Sequence, residues 1–253
     1  MRRVSTGRLS AATVALVGAL VLNSCIAEEE EGAIPIDRLE LVNLAFERDL
    51  TTLESTLEAY WRGYEEGRRN EGNLVFAYSA FAYSDPALEP ILLNWAEEQP
   101  DSASAALALG TYYAHLGDLS RGNRGARQTS AAGIEQMNRY FGLARPRLRL
   151  AIDLQPRLAP AYRTLMLLER SAGDDDAVRD VYETAARALP DSSAVFKAYV
   201  SSRLPRWGGS RSEVRRLLAE ARTKYEYNPN FSWTAGYMLH LAAREVENDD
   251  MTR

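Results

Sequence analysis

Two prolines constrain this chain more than any other feature. Pro156 and Pro190 stand 34 residues apart, each closing an apolar helical run, LAIDLQP and TAARALP. A fixed period of that size marks a helix–turn–helix repeat, whose units bury their apolar faces only against their neighbours. Such an array needs three or more units to be stable. The chain must therefore supply the same pattern before Pro156 and after Pro190.

It does so on both sides. Between the prolines, Tyr162 and Leu165 lie on a first helix, Gly173 at a turn, and Tyr182 and Ala185 on a second helix. Upstream, Leu109, Gly110, Tyr113 and Gly117 repeat the order. Ala144, Leu148, Ala151 and Pro156 complete that unit after an insertion of roughly twenty residues. The insertion contains LSRGNRGARQTSAAG, which its Gly and Arg content predicts to be a loop. A third unit runs from Ser193 to Pro229, lengthened by LPRWGGS, with a capping helix over Phe231–Val246.

The residues before the repeats are helical in pattern too. Leu39–Phe46 opens an apolar helix, and Leu50, Leu53, Leu57, Tyr60, Trp61 and Tyr64 follow at three- and four-residue steps. Asn73–Tyr83 and Ala87–Glu98 are two more, separated by Ser84-Asp85-Pro86, a helix-start signal. No alternating strand pattern is present. The expectation is an all-α fold over 37–253, with N-terminal helices at 37–99 and repeats at 100–253.

Residues 1–24 read as a signal peptide. Arg2, Arg3 and Arg8 precede the apolar run Leu9–Leu22, which is shorter than the roughly 20 residues of a membrane span. Residues 25–36 read as an acidic tether, since Glu28 to Glu31 repel one another and extend the chain. Cys25 is the only cysteine, so no intrachain disulfide forms and helix packing carries the stability.

Four resemblances sharpen this reading. Leu22-Asn23-Ser24-Cys25 resembles the lipobox of bacterial lipoproteins, with Asn23 a departure from it. That implies cleavage before Cys25, acylation there, and a membrane partner reached through the lipid. Ile26 resembles the residue of lipoproteins sorted to the outer membrane, which implies its periplasmic face. The 34-residue pattern resembles the tetratricopeptide repeat, which implies a helical-repeat solenoid. The segments PDSASAALALGTYYAHLGDLSRGN, LAPAYRTLMLLERSAGD and SRLPRWGGSRSEV resemble a bacterial tetratricopeptide-like domain family of unknown function. That resemblance spans roughly residues 45–235, and its most specific piece is Pro205, Arg206, Trp207, Gly208, Gly209 and Ser210.

The tetratricopeptide resemblance also implies a groove. Its groove-lining positions fall on His115, Arg163, Arg170, Lys197, His240 and Arg244, with Thr111, Ser201 and Trp233. None of these is acidic, although the chain carries a net charge of −5. A basic groove of this kind suits an acidic peptide or a C-terminal carboxylate.

Chemistry is otherwise sparse. There are only two histidines, no His-Glu-x-x-His and no Gly-x-Ser-x-Gly elbow, so neither a catalytic site nor a cofactor is expected. No stretch has the basic balance that nucleic-acid binding needs. Asp174-Asp175-Asp176 sits at an inter-helix turn, where capping is expected over cation binding. The 204–212 loop lacks the strand and lysine of a phosphate loop, and reads as a joint with Ser210 or Ser212 capping the next helix. The expected function is a lipid-anchored interaction module for another envelope protein. The alternative is an anion, small-ligand or catalytic site at that loop, and a third reading is an accessory of a secretion or toxin system.

Overall fold

Capping side chains set where most of these helices start. The computed structural model describes residues 37–122 and 129–225. The chain divides into two units, Met1–Pro35 and Ile36–Arg253, and every described residue belongs to the second. The signal peptide, Cys25, the acidic tether, Pro229, Trp233, His240, Arg244 and the expected capping helix lie outside the described residues.

The described residues form ten α-helices and no strand. Asp37 starts α1 (Arg38–Phe46), its carboxylate accepting from the amides of Leu39 and Glu40. Asp49 starts α2 (Leu50–Glu65) and Asn70 starts α3 (Glu71–Tyr78), which runs into a 3₁₀ turn at Ser79–Phe81. α4 (Leu88–Glu98) follows a turn in which Asp85 accepts from the Ala87 amide. Each such side chain answers a helix-end amide that would otherwise have no partner.

The repeats follow as pairs. Ser102 caps α5 (Ala103–Arg121) and Ser130 caps α6 (Ala131–Leu154). The second pair is α7 (Ala159–Ala172) and α8 (Asp175–Ala188). The third is α9 (Ser193–Ser202), capped by Ser192, and α10 (Arg211–Tyr225). This is an all-α helical-repeat fold. No helix among the described residues is long and apolar enough to cross a membrane.

Matching repeat positions meet matching fates. Ala144 and Ala151 in the first unit are fully buried, as are Val178 and Ala185 in the second. Within the first unit the helices approach closely across Gly110 and Gly117. A Cβ on Gly117 would stand 2.3 Å from the Phe141 ring, and one on Gly110 2.8 Å from Leu148. The repeat's glycines here serve packing.

One expectation needs correction. The long Gly- and Arg-rich loop of the first unit is helical at both its ends: α5 continues through Leu119-Ser120-Arg121, and α6 already begins at Ala131. Ser130 supplies the cap that starts α6 early. Both helices are simply longer than those of the later units. Likewise, the helix expected at Asn73–Tyr83 starts two residues earlier, because Asn70 caps it, and tightens to 3₁₀ after Tyr78.

Across the pairs, α9 packs on both α7 and α8, and α3 packs against α7 and α9. Two ionic anchors hold this arrangement. Arg145 on α6 grips Glu169 on α7 with two nitrogens, Nε at 2.8 Å and Nη2 at 2.8 Å. Glu71, at the start of α3, accepts from the Ser192 and Ser193 hydroxyls and from the Ala194 amide at 2.7 Å. A carboxylate placed there satisfies the exposed amides of α9 and faces the positive end of its dipole. Glu71→Ala is expected to cost about 2 kcal/mol, the loss of several bonds to one charged group. Amide exchange should then quicken first in α3, and unchanged protection there would show that Glu71 does not hold it.

Candidate groove and signature loop

The first helices of the units, α5, α7 and α9, carry the groove positions. Between α5, α7 and the α3 segment lies a cavity of about 140 Å³. Thr111, His115 and Asp118 reach it from α5, Arg163 and Thr164 from α7, and Val75 and Ser79 from the α3 side. Its volume is close to that of a cavity that holds one benzene, about 150 Å³. The space suits one inserted side chain rather than a whole helix.

Three of the expected groove residues, Thr111, His115 and Arg163, therefore meet in one cleft. Burial lowers the His115 pKa from its ordinary value, with the Asp118 charge opposing. Asp118 itself is exposed at the edge of the cleft, yet the surrounding walls raise its pKa, against the pull of Ser171, Arg170, Arg121 and His115. Thr111 is 7% exposed and its hydroxyl has no hydrogen-bond partner.

The other positions go elsewhere. Lys197 lies toward Glu71; burial lowers its pKa, Glu71 opposes and Arg163 adds to the shift. Arg170 leaves the cleft and meets the signature loop instead. His240 and Arg244 lie outside the described residues. The face is also not purely basic, because Glu71 and Asp118 share it with the cations. The groove-lining repeat positions fall on neither residue. Asp118 comes after the last such position on its helix, and α3 has no repeat register at all.

The loop is built as a joint. Pro205–Trp207 form a 3₁₀ turn, and Gly208 takes a left-handed conformation at φ 92° that glycine adopts without strain. Gly209 lies so close to the Arg203 backbone that a Cβ would stand 1.8 Å from its carbonyl oxygen. Ser210 is the cap, its hydroxyl accepting from the Glu213 amide at 3.1 Å. Glu213 does not close a capping box. Its carboxylate takes the Arg203 Nε at 2.9 Å instead. Arg203 also reaches Asp175 at 3.2 Å, tying the start of α8 to the joint. Asp174 caps α8 and Asp176 pairs with Arg179 at 3.0 Å, so each of the three aspartates has a structural partner.

Trp207 receives guanidiniums from two earlier units. Arg170, near the end of α7, lies 4.3 Å from the ring centroid, and Arg121, at the end of α5, lies 4.9 Å away. Both are within the range of cation–π attraction. Burial pushes the Arg170 pKa down to about 10, and Asp118 opposes that shift while Arg206, Arg121 and Arg163 add to it. Among the described residues, no group of three His, Cys, Asp or Glu side chains could hold a metal ion.

These features define a helical-repeat protein with a small cleft on the face of its first helices, its walls largely apolar and its polar groups few. No family model matches the chain, and no curated protein or solved structure matches it.

Proposed function

We propose that the chain is an interaction module of the bacterial envelope, which receives an acidic segment of a partner protein in the α5–α7 cleft. The observation that carries this reading is the cleft itself, a cavity of about 140 Å³ lined by His115, Arg163 and the unpartnered Thr111 hydroxyl. Its size admits one acidic side chain at a time. Glu71 supports the same chemistry, because the neighbouring helix face already holds one carboxylate, that of the chain itself. The lipobox-like segment ending at Cys25 would tether the module to the outer membrane on its periplasmic side. Less supports a separate ligand or catalytic site at the start of α10, where Ser210 already takes an exposed amide and Glu213 adds negative charge.

The test is site-specific photocrosslinking in intact cells. A photoreactive residue at Thr164, inside the cleft, is expected to capture a discrete envelope protein, whereas one at Arg149, exposed on α6, is not. Arg163→Glu should abolish the Thr164 adduct while leaving the helical content and melting temperature in place. Equal adducts from both positions, or an adduct indifferent to Arg163→Glu, would sink the proposal.

A further inference from the structure

Three guanidiniums gather around one indole at the signature loop. The guanidinium carbons of Arg170, Arg121 and Arg206 all lie within 6.0 Å of one indole centroid. They arrive from three places: the ends of α5 and α7, and the joint between α9 and α10. A single cation stacked on the ring would satisfy the packing. Here Arg121, Arg163 and Arg206 all raise the positive potential at Arg170, and Asp118 opposes them. Like charges repel at this range, so an anion held among these guanidiniums would lower the energy of the cluster. Two buried donors in the same cluster, Arg170 Nε and Trp207 Nε1, also have no acceptor. Arg206 is exposed and Arg121 half-exposed, so solutes reach the cluster from solvent.

We propose that Arg121, Arg170 and Arg206 form an oxyanion site around Trp207 that takes a phosphate group. Guanidinium forks recognise phosphate through paired charge-assisted hydrogen bonds, and a tetrahedral anion can accept from three directions at once. The same group can come from a soluble phosphate or from a phospholipid headgroup. The site uses the stacked arginines, whereas the start of α10, capped by Ser210, has no part in it. The two proposals can fail separately: the test of this site uses Arg121 and Arg206, and that of the acidic-segment cleft uses Arg163.

The indole N–H resonance of Trp207 in the purified full chain, assigned with Trp207→Phe, provides the readout. Inorganic phosphate is expected to shift this resonance saturably, and chloride at equal ionic strength to leave it in place. Arg121→Gln should weaken phosphate at least tenfold, the loss expected for a bond to a charged group. Arg206→Gln, changed at an exposed position, repeats the test should Arg121→Gln lower the melting temperature. Vesicles of phosphatidic acid in phosphatidylcholine, set beside pure phosphatidylcholine vesicles, provide the second arm. A response to soluble phosphate identifies a soluble ligand, and one to phosphatidic acid vesicles alone identifies a headgroup; either supports the site. Equal shifts with chloride, or undiminished binding by both variants, would overturn it.

Discussion

Gly209→Ala is expected to lower the melting temperature by about 6–12 °C, corresponding to a loss of about 3 kcal/mol. The added methyl would stand 1.8 Å from the Arg203 carbonyl oxygen and 2.3 Å from its carbon. Side chains can rotate out of a clash, whereas main chain cannot, so relief must open the joint. Opening it displaces Arg203, which is 8% exposed and pairs with both Glu213 and Asp175. It also moves Trp207 off Arg170 and Arg121. The neighbouring Gly208→Ala is the control. Its nearest non-neighbour atom would lie at 3.7 Å, so the substitution carries only the conformational cost of φ 92°, about 1–2 kcal/mol. Thermal unfolding of the two variants side by side decides the matter, and equal losses would mean that the close approach is unimportant.

Arg145→Ala comes next in size. Glu169 is almost entirely enclosed, with 2% of its side chain exposed, while Arg145 keeps 32% in solvent. Removing the arginine leaves a carboxylate inside the α6–α7 interface with no cation beside it. Breaking a fully buried pair costs about 3–5 kcal/mol, and the exposed flank of Arg145 reduces this to about 2–3 kcal/mol. Its guanidinium pKa is raised, chiefly by the Glu169 hydrogen bonds, which accords with the pairing. Replacing both partners with leucine should restore most of the loss, because no charge is then stranded. Urea unfolding of the wild type, Arg145→Leu, Glu169→Leu and the double variant separates the pair's coupling from simple loss of packing. A double variant as unstable as the sum of its singles would contradict the account.

The parts of this fold that follow local rules could be read from the sequence. The apolar spacing and the capping role of Asp174 depend on residues within a few turns of each other, the 34-residue period on a plain recurrence along the chain, and all reappear in three dimensions. The first unit's insertion was harder. LSRG and TSAAG have loop composition, yet Ser130 caps an early helix start and α5 runs on to Arg121. Contacts between distant segments left no local signal. Nothing near Glu71 indicates that its carboxylate will cap α9, 121 residues away. The candidate site divides in the same way. His115 and Arg163 fall on repeat positions and meet, whereas Asp118, Glu71 and the Arg121–Trp207 contact follow no register. Arg170 was readable as a groove cation, and only the structure shows it turned to the tryptophan.

The seating of α3 on α7 and α9 bears on how the molecule folds. An unbridged repeat array can fray from either end, one unit at a time, since each unit leans only on its neighbours. Here an early helix reaches over the second unit to the third, and Arg157 of the second unit binds Glu65 of α2 across 92 residues of chain. Closing loops of that length is entropically slow compared with forming adjacent helix pairs. The repeats should therefore assemble first, and the N-terminal helices should lock on in a later step. Once locked, the second and third units can no longer melt independently of the N-terminal helices, and a ladder of small equilibria becomes a more cooperative transition.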